Sequence, residues 1–161
     1  MREFLWWIEH STLGYFMRDS SLWTYPVVNL THILGIASLF GATLIIDLRL
    51  LGVWRRVPLG PLTEAAVPVA TAGFFVAAVT GAGLLATKAT EYDGNLFLVM
   101  KFTAIALGLI NVLVLNLSPA WRARGVRALS RAEDRQLAVI GGISLMCWLA
   151  AVTAGRLIAY W

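Results

Sequence analysis

With 161 residues, 59% of them hydrophobic and 14% charged, the chain departs from a soluble domain, where about 25% of residues carry charge. Its formal net charge of +4 does not point to nucleic acid. The arginines concentrate in two short connections, as membrane topology requires, and no recognition helix or base-stacking platform accompanies them. A single cysteine, Cys147, excludes an intrachain disulfide and any CxxC-type metal or redox motif.

Residues Met1 to Asp19 (MREFLWWIEHSTLGYFMRD) are too broken by charge to span a bilayer. Glu9 and His10 also interrupt the apolar core that a signal peptide needs. Trp6, Trp7, Tyr15 and Phe16 predict one short amphipathic helix on the membrane surface, covering residues 1–19. A turn at Ser20-Ser21 then leads to a first span over 26–48, with Pro26 tolerated in the first helical turn. This span closes at Asp47 and Arg49, expected to pair at the membrane rim. The link LLGVWRRVPLGP carries Arg55 and Arg56 and ends on Gly60-Pro61, read as a helix breaker.

Further spans are expected over 62–86, 95–117 and 137–158, each near the 20 apolar residues that cross a bilayer. A charge-mixed turn (Lys88, Glu91, Asp93) separates the first two of these. The segment SPAWRARGVRALSRAEDRQ precedes the last, and Tyr160-Trp161 forms a terminal aromatic anchor. The expected fold is therefore all-α and integral to the membrane, one domain over 1–161. It is an up-down four-transmembrane-helix bundle with a short N-terminal interfacial helix. The arginine-rich links should be cytoplasmic, with both termini on the periplasmic side, or outside in a single-membrane cell. The lipid bilayer is the expected partner, along with a membrane-protein partner or a second copy of the chain.

Ionisable residues inside a membrane helix are costly and mark candidate sites. His32 lies about 9 Å, or six residues, below the outer end of its span. Lys101 lies at a similar depth in the third span, which suggests a shared site in the outer half. Asn29 and Gly35 flank His32 at three-residue steps on one face. A glycine one turn from a histidine suits a haem ligand, because it relieves crowding by the macrocycle. The alternatives stay open: His32 as a cross-helix hydrogen-bonding group, and Lys101 as a snorkelling cation without a partner. Lys88 and Arg156, near the outer surface, suit haem propionates or lipid headgroups. Copper is the competing cofactor, with Met17, Met100, Met146, Cys147, His10 and His32 as soft or imidazole ligands.

The small residues Ala66, Ala70, Gly73, Ala77 and Gly81 form a row in the second span. They serve close helix contact or leave room for a flat cofactor, as do Gly141, Gly142 and Gly155 in the fourth. No catalytic triad, paired buried carboxylates, nucleotide-binding glycine loop or zinc signature is present.

The runs WTYPVV, HILGIASLFGATLIIDLRLLG and FLVMKFTAIALGLINVLVL resemble an uncharacterised family of small four-helix proteins of the bacterial inner (cytoplasmic) membrane. More remotely, a histidine followed by small and apolar residues, then a lysine early in a later span, resembles two other groups. These are the J-type protoporphyrinogen oxidases and the copper-resistance D domain proteins. The remote resemblance implies a small haem-binding bundle. The expected function is that of a haem b-binding electron-transfer protein, an accessory subunit of a larger respiratory or photosynthetic complex, with a cofactor-free structural subunit of a membrane complex or a copper-handling membrane protein as the alternative. His32 would be the axial ligand, with Lys101 in or beside the site. Oxidation of a porphyrinogen or quinol is left open. A second histidine-bearing segment of the oxidases has no counterpart here, so the sixth haem position falls to His10, Lys101, Met100, another subunit's histidine or nothing.

Overall fold

A computed structural model describes residues 2–160, all of whose regular elements are helical. Met1 and Trp161, the latter half of the expected terminal anchor, lie outside the described residues. Seven α-helices follow in order: α1 (Arg2–Glu9), α2 (Thr12–Asp19), α3 (Thr24–Leu50), α4 (Leu59–Thr87), α5 (Leu96–Leu117), α6 (Pro119–Ala123) and α7 (Arg131–Leu157). Short 3-10 turns cover Ala89–Tyr92 and Ile158–Tyr160. Four helices are long and apolar enough to cross a membrane: α3, α4, α5 and α7 with its terminal turn. At 1.5 Å per residue, even α5 with its 22 residues is about 33 Å long, against about 30 Å of hydrocarbon. Exposed side chains along them are large and apolar, among them Ile33, Leu34, Phe75, Val79, Leu113 and Ile143.

Local chemistry explains the ends. α3 stops in a Schellman motif: the Val53 N–H donates to Leu48 O at 2.9 Å and the Gly52 N–H to Arg49 O at 3.2 Å. Gly52 takes the left-handed φ of 100° that this motif requires. α7 begins at Arg131, six residues before its expected start, because Ser130 and Glu133 form a capping box. Three expectations need correction. The N-terminal segment is two helices, since Ser11 caps α2 by accepting the Gly14 N–H at 3.3 Å. Gly60-Pro61 breaks nothing. It lies in the first turn of α4, where the N–H that proline lacks has no helical partner anyway. The rim pair Asp47–Arg49 does not form. Residues two apart on a helix face opposite ways, so Arg49 donates to Val57 O (2.7 Å) and Arg55 O (3.2 Å) while Asp47 is buried.

The chain folds as two compact units, Met1–Leu39 with Thr71–Asn95, and Phe40–Ala70 with Leu96–Trp161. In the first, the outer half of α3 meets the later half of α4 backbone to backbone. A Cβ on Gly35 would stand 2.8 Å from Ala77 N, and one on Gly73 would stand 2.5 Å from Leu39 N and 2.8 Å from Gly35 O. The two terminal helices clamp onto the same unit. Arg18 donates to the carbonyls of Glu9 (2.9 Å), Ala86 (3.4 Å) and Thr87 (3.1 Å). Glu9 accepts from the Thr90 N–H and hydroxyl, both at 2.7 Å.

The second unit packs by side chains. Ile46, Leu50, Leu59, Ala120, Trp121 and Leu137 form its core cluster. α7 buries Leu137, Ile140, Gly141, Ser144, Trp148, Ala151 and Ala154, a three- and four-residue rhythm that gives one continuous seam. Gly108 of α5 makes room for the Trp148 indole, and Asn111 donates to Ile140 O at 3.1 Å.

Candidate functional site

The best-defined ligand-type side chain belongs to the first unit. His32 is half-buried on α3, with its ring laid on Gly81 of α4. A Cβ at that glycine would come within 2.9 Å of the ring Cε1. Its Nδ1 lies 3.0 Å from Thr80 Oγ1, and the Thr80 hydroxyl sits 2.5 Å from Val76 O. That hydroxyl has one hydrogen, and the short bond to Val76 O uses it. With the hydroxyl hydrogen on Val76 O, Oγ1 accepts from His32 and the neutral ring carries its proton on Nδ1. A histidine so oriented by its second nitrogen has the arrangement found in metal-ligating histidines.

The neighbours expected around His32 fare differently. Asn29 is half-buried one turn outward. Gly35 does not leave an open face for a macrocycle, because the Ala77 backbone and Val76 side chain already occupy it. The small-residue row of the second span thus divides: Gly73 and Ala77 serve helix contact, while Gly81 supports the imidazole. Lys88 is exposed and ion-paired with Glu91 at 3.1 Å. That pairing raises its pKa, through the hydrogen bond first and the carboxylate charge second. With Arg18, Met17, Tyr25, Leu84 and Tyr92, Lys88 lines a cavity of about 480 Å³. Cations, phenols and a thioether thus meet at the end of this unit where α4 closes. Burial raises the Tyr92 pKa, with the Tyr25 and Glu91 charges adding to it and Lys88 opposing.

Lys101 and Arg156 belong to the second unit. Lys101 is half-buried with its Cδ and Cε 3.6 Å from where a Cβ on Gly155 would stand, and its Nζ 3.7 Å away. Among the described residues it makes no hydrogen bond or ion pair. Arg156 donates to the Tyr160 hydroxyl at 2.6 Å and stacks over that ring at 4.8 Å. His10 stays on its own surface helix, stacked on Trp6 at 4.3 Å with Nδ1 2.9 Å from Trp6 O. Met100 and Met146 are exposed, and Cys147 packs near Gly108. Among the described residues no three His, Cys, Asp or Glu side chains gather as a metal site.

Sequence reasoning missed one polar residue. Asp47 is 4% exposed, its Oδ2 has no hydrogen-bond partner, and the Ser144 hydroxyl of α7 is within hydrogen-bonding reach of its carboxyl. The available signal was its place beside the stripe Leu39, Ala42, Ile46 and Leu50, all buried at helical spacing. No protein-family model, curated protein or solved structure matches the chain.

Proposed function

We propose that this is a multi-pass membrane protein that binds haem b through His32 and takes part in electron transfer. The observation that carries the reading is the 3.0 Å contact between His32 Nδ1 and Thr80 Oγ1, which orients the imidazole through one of its two nitrogens. In this reading the four long helices form an up-down bundle in a bacterial inner membrane. The positive-inside rule sets the arginine-rich segments 49–56 and 122–135 toward the cytoplasm and both termini toward the periplasm. When bound, the haem supplies one-electron chemistry, and the protein tunes it through ligand identity, burial and hydrogen bonding. His32 would hold the iron, and Thr80 would keep its ring oriented through Nδ1.

Protein purified from haem-replete cells should show a Soret band that His32→Ala removes. Thr80→Val, which keeps the ring but frees its tautomer, should weaken haem retention by about 10–100-fold. A colourless protein, or a band unchanged in His32→Ala, overturns the reading.

A second reading, a cofactor-free structural subunit of a membrane complex, is favoured by the backbone contact at Gly35 and Gly73, which fills the space a macrocycle would use. A colourless protein that co-purifies with a larger assembly is its expected signature.

A further inference from the structure

The second unit has a cavity of about 240 Å³ at its arginine-rich end. Arg49, Arg124, Arg127 and Asp134 border it, and Leu50 and Leu137 supply apolar wall. The guanidiniums differ in what holds them. Arg127 is neutralised by Glu133, with N–O distances of 3.0 and 2.6 Å. Arg49 and Arg124 are pinned by uncharged acceptors alone. Arg49 donates from Nε and Nη2 to backbone carbonyls of the α3–α4 link. Arg124 donates from Nε to Thr63 Oγ1 at 2.9 Å and from Nη1 to Trp121 O at 2.6 Å, and lies over the Trp121 ring at 3.9 Å. Glu64 attracts Arg124 from a distance without pairing to it. Both side chains are therefore oriented without a direct ion pair, and each keeps donors for a ligand. Guanidinium in this state suits phosphate oxygens.

The local charge balance narrows the ligand. Three arginines less Asp134 and Glu133 leave one positive charge, which matches a phosphodiester monoanion better than a phosphate dianion. Leu129, half-buried beside the charges with the core leucines Leu50, Leu59 and Leu137 behind it, gives the cavity an apolar edge, so the ligand should be amphipathic. We propose that this cavity holds the headgroup of an anionic phospholipid, with the phosphodiester on Arg49 and Arg124 and the glycerol end of the chains on the leucine wall. Basic pockets at helix ends are recurrent sites for such lipids. The proposal rests on the membrane part of the reading above and is independent of haem.

The test is thermal unfolding of the full chain in a non-ionic detergent, with phosphatidylglycerol, with phosphatidylcholine of the same acyl chains, or with inorganic phosphate. Saturating phosphatidylglycerol should raise the midpoint by about 5 °C, and the other two should leave it unmoved. The paired substitution Arg49→Gln with Arg124→Gln should abolish the rise. The same charge change at Arg122 and Arg131, exposed and outside the cavity lining, should preserve it. Should the paired variant fail to fold, Arg49→Gln alone carries the test, because its bonds are to exposed link carbonyls. Equal shifts with both lipids, a shift that survives in the cavity variants, or one reproduced by inorganic phosphate each overturn the site. A chain that stays monodisperse without detergent overturns the membrane reading itself.

Discussion

In the first unit α3 and α4 meet at Gly35, Gly73 and Gly81, where backbone atoms or an imidazole occupy the space a side chain would need. In the second, Leu137, Trp121, Trp148 and Ile46 fill the interior with side-chain volume. Both use the same apolar composition, yet one is held by close approach and the other by interdigitation. Between helices in lipid, burying apolar surface gives little drive, and either route would work through van der Waals contact. The difference lies in what each can present. Glycine contact leaves a shelf on which a ring such as that of His32 can be fixed, whereas a filled core leaves its cavity at the end, among arginines.

The two designs should break in opposite ways. Removing atoms should hurt the second unit most: Leu137→Ala, at a side chain 1% exposed, should cost about 3 kcal/mol and lower the unfolding midpoint by roughly 6–12 °C. Adding one carbon should hurt the first: Gly73→Ala should cost about 2 kcal/mol, because the clash is with Leu39 N and Gly35 O and backbone cannot swing aside. Unfolding both variants in detergent checks the pair. A neutral Gly73→Ala would remove the basis of the comparison.

A glycine outside either mechanism sharpens the point. Gly41 of α3 has nothing within 4 Å of a built Cβ. Gly41→Ala should therefore stabilise by roughly 0.8 kcal/mol through helix propensity alone. A loss of stability there would mean that this face is covered by something other than lipid or detergent.

The four long helices were legible because each is a stretch of about twenty mostly apolar residues, the length and composition of a membrane-crossing helix. Their ends were misplaced where a cap went unread, as at Ser130, where the last span was expected six residues later than it begins. The Ser130–Glu133 box and the glycine after α3 are both plain in the sequence, but Gly60-Pro61 was given weight as punctuation that a first helical turn does not obey. His32 stood out because its chemistry is foreign to its surroundings. Its tautomer did not, since that depends on Thr80, 48 positions away. The Glu9–Thr90 and Arg18–Thr87 contacts join residues 81 and 69 apart, and no local pattern carries them. Asp47 was misjudged for a different reason. Its sequence neighbour Arg49 offered an obvious partner, although helical geometry places the two on opposite faces.

The smallest expected effect concerns how the surface helices stay docked in the first unit. Glu9 lies outside the long helices, and its carboxyl pKa is lowered. The Thr90 hydroxyl is the chief cause and the Thr90 N–H the next, with burial opposing and Arg18 and His10 adding charge attraction. A carboxyl whose folded pKa is depressed stabilises above its unfolded value, about 4.3 for glutamate. That contribution falls away as pH drops from there through the folded pKa. Docking of α1 should therefore loosen below about pH 4, seen as a change in emission from Trp6 and Trp7 and as faster proteolysis near His10. Glu9→Gln, which keeps an acceptor but cannot ionise, should begin looser at neutral pH and lose this acid step. An identical acid transition in the variant would assign the loosening to another carboxyl and leave the clamp to Arg18 and its bonds to three backbone carbonyls.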